Sequence, residues 1–221
     1  MRRVTLTFDN GPSADTTPFV LDELKQRNMA AHFCLVGSQL LAANEHADIA
    51  KEAFGLGHRL VNHSLSHGIA LGDKPTERHA RQEVFEMHQL MNEKLADWGA
   101  KWFRPFGRGG QVGPHLFSES ALDQLCVLEY SVLLWNCVPR DWLDTEGWVE
   151  TALGQIGQSD HAVVVLHDLA TGAMKHLPRF LDHLLRSEVE LTLDLPDDCV
   201  LLNEGAFAIP VAEMNKLTSP T

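Results

Sequence analysis

The order of residue types along the chain predicts an α/β protein: a largely parallel sheet of about seven strands covered by helices, either closed into a barrel or left open and doubly wound. Three observations carry this reading. Short apolar runs are followed by polar or turn residues and then by helical stretches, with no internal repeat and no low-complexity linker. Ionisable clusters sit just past the ends of those apolar runs, where parallel α/β folds gather their sites. The 221 residues are 44% hydrophobic, and a domain of this length buries roughly 70% of the surface its unfolded chain exposes. Residues 1–221 are therefore read as a single domain with its own core.

The first strand candidate, residues 4–8, alternates apolar and polar side chains; the runs at 31–36, 58–61, 101–103, 125–135, 162–166 and 189–193 supply six more. Between them, 17–28, 44–56, 75–98, 114–124, 145–158 and 175–186 read as helices. The clearest is 75–98, where Ala80, Val84, Met87, Met91, Leu95 and Trp98 recur every three or four residues and define one buried face. Its methionines are packing residues in this reading. Residues 194–221 have no pattern that places them and are read as a C-terminal tail. Cys34, Cys126, Cys137 and Cys199 lie in or beside apolar segments without a CxxC pair, which predicts buried free thiols.

Charge removes several classes of partner. Eighteen Lys and Arg against thirty Asp and Glu give a formal net charge of −12, and no basic run exceeds Arg2-Arg3, so no nucleic-acid footprint is present. The longest apolar stretches, such as 162–166, fall far short of the roughly 20 residues that cross a bilayer, so no membrane partner is expected. Met1-Arg2-Arg3 leads at once into the alternating segment without the pattern of a signal peptide, and the expected location is cytoplasmic. Oligomeric state is not legible.

Five clusters could do chemistry. His63-Ser64-Leu65-Ser66-His67 places two imidazoles four residues apart, able to face one cation or to form an ordinary polar loop. Asp9-Asn10-Gly11-Pro12 is either a strand-end turn or a carboxylate serving as oxygen ligand or general base beside those histidines. Arg104, after Trp102-Phe103, could orient and ionise Asp9, or make a surface ion pair. Asp141-Trp142 could pair a carboxylate with His167 while the indole walls a small pocket; a helix cap and a core Trp are the plain alternative. His167 ends the run Val163-Val164-Val165-Leu166, a natural place for a general acid and equally for a satisfied core histidine. Trp135, Trp148 and Phe106 are the other aromatics available to a ligand.

Together and in this order, the five clusters resemble the motifs of the polysaccharide deacetylase family, the NodB-homology domain of carbohydrate esterase family four. Thr7-Phe8-Asp9-Asn10-Gly11-Pro12 is similar to TFDDGP, His63 to His67 matches H-S-x-x-H, and Phe103 to Gly107 looks like the arginine-proline motif. Val138-Pro139-Arg140-Asp141-Trp142 is similar to DxxDW, and Val164-Val165-Leu166-His167 to the closing leucine-histidine motif. The resemblance spans Thr7 to Asp168. It implies a distorted (β/α) barrel with its site at the C-terminal strand ends, one divalent metal, usually zinc, and hydrolysis of an N-acetyl group. On this carry-over Asp9 is the base that activates a metal-bound water, and Asn10, His63 and His67 hold the metal. Arg104 orients Asp9, His167 is the acid that protonates the departing amine, and Asp141 tunes it. Trp142, Leu166 and Phe106 line the acetate pocket.

Three departures qualify the match. Asn10 stands where the family has a second Asp and offers a neutral oxygen, so a cation is expected to bind less tightly. The third motif is one residue shorter than R-P-P-Y, which bears on the backbone N–H near Phe106 that would meet an oxyanion. Val138 replaces a frequent Asp. The expected activity is removal of N-acetyl groups from a soluble amino sugar or oligosaccharide. Hydrolysis of a non-sugar C–N bond, and a non-catalytic ligand-binding descendant, are the alternatives.

Overall fold

The computed structural model describes residues 1–219. At its centre lies β1 (Arg2–Asp9), buried over its last six residues and paired in parallel with three other strands. These are β2 (His32–Leu35), β7 (His161–His167) and, at its start, β8 (Val189–Leu191). From β2 the sheet continues in parallel through β3 (Arg59–Asn62), β4 (Trp102–Phe103) and β6 (Ser131–Leu133). That makes the seven parallel strands the sequence predicts.

Beyond β6 the chain turns back onto β7. Cys137 bridges Val164 in parallel; its N–H donates to the Val163 carbonyl at 3.2 Å, and its own carbonyl accepts from Val165 N–H at 2.9 Å. The sheet thereby curls into a distorted (β/α) barrel. Alternation along β1 separates its two faces: Val4, Leu6 and Phe8 join the main core, whereas Thr5, Thr7 and Asp9 face the barrel interior. The outer face is covered by α1 (Thr17–Gln26), α2 (Gly37–Ala42), α3 (Asn44–Gly55), α6 (Glu119–Val127), α7 (Trp148–Ile156) and α8 (Leu177–Arg186), together with the helical stretch that follows β3.

That stretch is interrupted. Thr76 caps it by accepting the His79 N–H at 3.2 Å, and α4 (Glu77–Ala80) and α5 (Met87–Leu95) flank a π-helical segment (Arg81–Glu86). Ala80, Val84, Met87, Met91 and Leu95 are buried as the spacing predicts. Ala96, at φ 60°, ends the helix, so Trp98 lies beyond it and reaches back through Nε1 to Asn92 Oδ1 at 2.9 Å.

The expected long strand at 125–135 is corrected. Its first residues complete α6, whose cap Ser118 accepts the Ala121 N–H, and the chain turns through Glu129 at φ 58° before β6 begins. An apolar run is ambiguous between a buried strand and a helix face, and here Leu122 and Leu125 belong to the face. Residues 114–116, expected as helix, form a 3-10 turn before the short β5 (Phe117–Ser118).

The C-terminal segment has a definite place. Residues 192–199 run beneath the barrel, followed by β9 (Val200–Asn203) antiparallel to β6, β10 (Ala206–Phe207), α9 (Val211–Met214) and β11 (Thr218–Ser219) parallel to β5. Residues 220–221 of the expected tail lie outside the described residues. No helix among the described residues is long and apolar enough to cross a membrane. The four cysteines are free, three of them buried and Cys126 partly so.

Candidate active site

Neighbouring strands extend their hydrogen bonds past their ends, and this fixes the residues that follow. Asn10 N–H donates to the Cys34 carbonyl at 3.1 Å, His63 N–H to Leu35 at 2.9 Å and Arg104 N–H to Asn62 at 2.9 Å. Asn10, at φ 76°, and His67, at φ 53°, adopt left-handed backbone that redirects the chain at the barrel mouth. A cavity of about 730 Å³ opens there, lined by Asp9, Asn10, His63, His67, Phe106, Trp142 and His167 among others.

Asp9 is almost wholly buried, with Oδ2 at 3.7 Å from both Arg104 Nη1 and His63 Nε2. Burial works to raise its pKa, but the Arg104 charge above all, with the imidazoles of His63 and His167 nearby, outweighs burial and holds the carboxyl below its ordinary range. Arg104 is fully buried, its guanidinium 5.2 Å from the Trp135 ring centroid and its three nitrogens without a hydrogen-bond partner. The ion pair with Asp9 is what compensates its charge.

His63 engages the Arg104 carbonyl through Nδ1 at 2.8 Å, which turns Nε2 toward Asp9. Burial pushes its pKa down to about 3, so the ring is neutral and Nε2 is free to act as a donor to a cation. His67 lies with its ring centroid 4.8 Å from that of His63 and stacks on Phe106 at 4.2 Å; burial lowers its pKa also.

His167 is arranged oppositely. Asp141, fully buried, accepts both the His167 N–H at 2.9 Å and Nδ1–H at 2.8 Å. Burial works to lower the pKa of this imidazole, but the hydrogen bond and charge of Asp141, with Asp9 and Asp168, raise it above its usual value. Trp142 packs edge-on at 4.8 Å. One wall thus carries a carboxylate whose neighbours favour its ionised form and the other an imidazole whose neighbours favour its protonated form.

The metal expectation has a structural test. Among the described residues no group of three or more His, Cys, Asp or Glu side chains is arranged to hold a metal ion. Asn10 lies outside that tally, and its Oδ1, like Asp9 Oδ1, is buried with no hydrogen-bond partner. A buried carbonyl oxygen left unpaired costs about 1–3 kcal/mol, and a cation there would satisfy it. With two neutral imidazoles beside it, the donor set of His63, His67 and Asn10 fits a divalent ion.

The structure corrects one pocket assignment. Leu166 is fully buried in the main core and does not line the cavity; strand alternation sends Leu166 outward and Val165 inward, beside His167. Trp148 is likewise in the core, donating Nε1–H to the Ala173 carbonyl at 3.0 Å. Other wall residues had no pocket role assigned from the sequence: Ile69, Val165, Leu169 and the loop Gly107–Gly110. All four loop residues have positive φ, from 45° to 135°. A Cβ on Gly110 would fall 2.9 Å from Val138. At the rim, Arg108 of this loop pairs with Asp73 at 2.6 Å.

The polysaccharide deacetylase family model matches residues 1–112, just over half of the chain. The chain is 27% identical over 171 residues to the peptidoglycan-N-acetylglucosamine deacetylase PgdA of Listeria monocytogenes, covering 76% of this chain and 33% of that protein. It is 25% identical over 170 residues to the chitooligosaccharide deacetylase of Sinorhizobium fredii, covering 75% of this chain and 71% of that one. The match thus spans about a third of the Listeria protein's length. In fold it is similar to a crystallised peptidoglycan N-acetylglucosamine deacetylase, with a TM-score of 0.71 at 24% identity over 86% of this chain and 85% of that one. By its family-model match, the chain belongs to the polysaccharide deacetylase family.

Proposed function

We propose that residues 1–221 act as one catalytic domain that hydrolyses the N-acetyl group of an amino sugar in a soluble saccharide, releasing acetate and a free amine. The observation that carries this reading is the placement of two acid–base groups on one cavity, Asp9 beside the Arg104 cation, which favours its ionised form, and His167 hydrogen-bonded to Asp141, which favours its protonated form. An amide resists water near neutral pH because its carbonyl is a weak electrophile and its amine a poor leaving group, so hydrolysis needs both a base and an acid.

The residues divide that work. Asp9 Oδ1, buried and unpartnered, is the acceptor for the proton of the attacking water, and Arg104 keeps it charged and oriented. Asp141 accepts the Nδ1–H of the His167 imidazolium and so orients the ring, leaving its Nε2–H to protonate the departing nitrogen. Trp142, Phe106 and Val165 give the acetyl methyl an apolar seat. His63, His67 and Asn10 would hold one divalent cation, zinc by the family resemblance. When bound, it supplies Lewis acidity that polarises the amide carbonyl.

The test combines elemental analysis with acetate release. Protein purified without a chelator or histidine tag, then dialysed against zinc, is expected to carry about one zinc per chain and to release acetate from N,N′-diacetylchitobiose, with EDTA abolishing the activity. A chain that takes up no divalent metal in excess zinc and releases no acetate would instead support a ligand-binding descendant, the reading that Asn10 favours.

A further inference from the structure

A second cavity of about 650 Å³ adjoins the first, and the two share Gly109, Gly110, Trp135 and Val138 as a common saddle. These shared residues set the second cavity directly beside the one that holds Asp9 and His167. The second cavity differs from the first in its charge. Arg140 is the one charged residue among those lining it.

Apart from Gln155 Oε1, which is buried without a hydrogen-bond partner, its neutral amide groups are committed elsewhere. Asn136 donates to the His161 carbonyl at 2.9 Å and accepts from Val163 N–H at 2.8 Å, and Gln155 Nε2 donates to the Val138 carbonyl at 3.2 Å. Arg140 has no side-chain partner among the described residues, although the protein carries thirty acidic residues. The contrast with Arg108 at the first cavity's rim is direct, since Asp73 neutralises that cation. Arg140 is also fixed at its base. Its backbone has φ 59°, and its carbonyl accepts from Leu143 N–H at 2.9 Å and Asp144 N–H at 3.1 Å. A non-glycine residue holds left-handed backbone only where the surroundings require it, so the direction in which the exposed Arg140 side chain leaves the backbone is set.

We propose that this second cavity is a subsite for a carboxylate-bearing sugar next to the residue that loses its acetyl group, with Arg140 pairing the carboxylate. The proposal rests on the deacetylase reading for the identity of the neighbouring residue, and on the cavity and its unpaired cation for the charge. Arginine meets a carboxylate through two parallel N–H donors, a geometry a neutral sugar cannot reproduce.

The experiment compares kcat/KM of the zinc-supplied full chain on two disaccharides, N,N′-diacetylchitobiose and N-acetylglucosamine linked to glucuronic acid. The carboxylated substrate is expected to be preferred about five-fold, the scale of a partly exposed ion pair. Arg140→Gln should bring the ratio to near one, and Arg140→Glu should invert it. Should these variants fail to fold by thermal melt, Thr151→Glu, an exposed position on the same cavity, should lower the ratio instead. A wild-type ratio near one, or a ratio unchanged by every folded variant, overturns the subsite.

Calorimetry separates this failure from that of the deacetylase reading. If neither disaccharide yields acetate but the carboxylated one binds and Arg140→Gln weakens it about five-fold, the deacetylase reading falls and the subsite stands. Unchanged binding in Arg140→Gln overturns the subsite. Free glucuronate binding as tightly as the disaccharide overturns it too, because the site would then serve a free anion.

Discussion

The two mouths of the barrel are built from the same strands and end differently. At the lower mouth Thr5, His32, Arg59 and His161 face inward, and the C-terminal segment covers them with backbone carbonyls. Leu193 accepts from His32 Nε2 and Arg59 Nη1, each at 3.0 Å, and Asp194 accepts from Thr5 Oγ1, which in turn accepts from His161 Nε2 at 2.9 Å. Leu195 packs below Cys34, Val61 and Leu133. At the upper mouth Asp9, Asn10 and His167 line the cavity instead. Asp9 Oδ1 and Asn10 Oδ1 stay unpaired, and the Arg104 guanidinium makes no hydrogen bond beside its ion pair and the Trp135 ring. Both ends hold buried histidines without charge, His32 below and His63 above, each pushed to about 3 by burial. Burial of polar groups therefore does not by itself distinguish structure from chemistry. What distinguishes them is whether the chain supplies the partners or leaves them for a ligand.

Substitution at either mouth should separate the two roles. The largest effect belongs to the upper one: Asp9→Asn should lower kcat/KM for acetate release about 10³-fold, the loss of a general base. It should also lower the melting temperature, since Arg104 then keeps a buried charge without its counter-ion, while the transition remains cooperative. Wild-type turnover in that variant would contradict the assignment.

Asp168 lies just below the upper mouth and sharpens the comparison through pH. It is fully buried, accepts from Thr17 Oγ1 at 2.5 Å, and burial pushes its pKa up to about 6 from 3.8. A carboxyl with a raised folded-state pKa binds its proton more tightly in the native protein, so stability falls as pH rises from about 4 to about 6. Urea unfolding should show up to about 3 kcal/mol of such loss. Asp168→Asn should abolish that dependence, and an identical pH profile in the variant would exclude Asp168 as its source.

At the lower mouth, Thr5→Val strands the Asp194 carbonyl and His161 Nε2. Destabilisation of about 1–3 kcal/mol is expected, with kcat/KM unchanged within two-fold. A large kinetic effect would show that the two ends are coupled. The smallest change is Asn10→Asp, which adds charge to a candidate ligand at a position whose left-handed backbone Asp tolerates. Zinc affinity by competition titration should rise about ten-fold, since a contact to a charged group exceeds a neutral one by about 1.4 kcal/mol. Unaltered affinity would remove Asn10 from the ligand set.

These contrasts also explain what could be read from sequence. Asp9, His63, Arg104, Asp141 and His167 were legible because each cluster follows an apolar run, and parallel strands deliver their ends to one mouth. Leu166 was misplaced because a motif names a residue type, whereas the face it occupies depends on the two-residue alternation of β7. The boundary near residue 125 was illegible because Leu122 and Leu125 suit a helix face and a buried strand equally. The plug at 193–194 acts through carbonyl oxygens, which leave no side-chain signature. The pairing of Arg108 with Asp73 joins loops 35 residues apart that only the fold brings together.

The central claim is that the open mouth holds a base ionised and an acid protonated at the same pH. The pH dependence of acetate release, in the wild type and in Asp141→Asn, tests it most directly. His167 is raised above its ordinary 6.5 chiefly through the Asp141 hydrogen bond and charge acting against burial, so the wild type should lose kcat/KM on an alkaline limb above that value. In Asp141→Asn the limb should move to lower pH, because burial then acts with less opposition. An alkaline limb that stays in place in the variant, or activity that rises steadily with pH in the wild type, would contradict His167 as the acid and the account built on it.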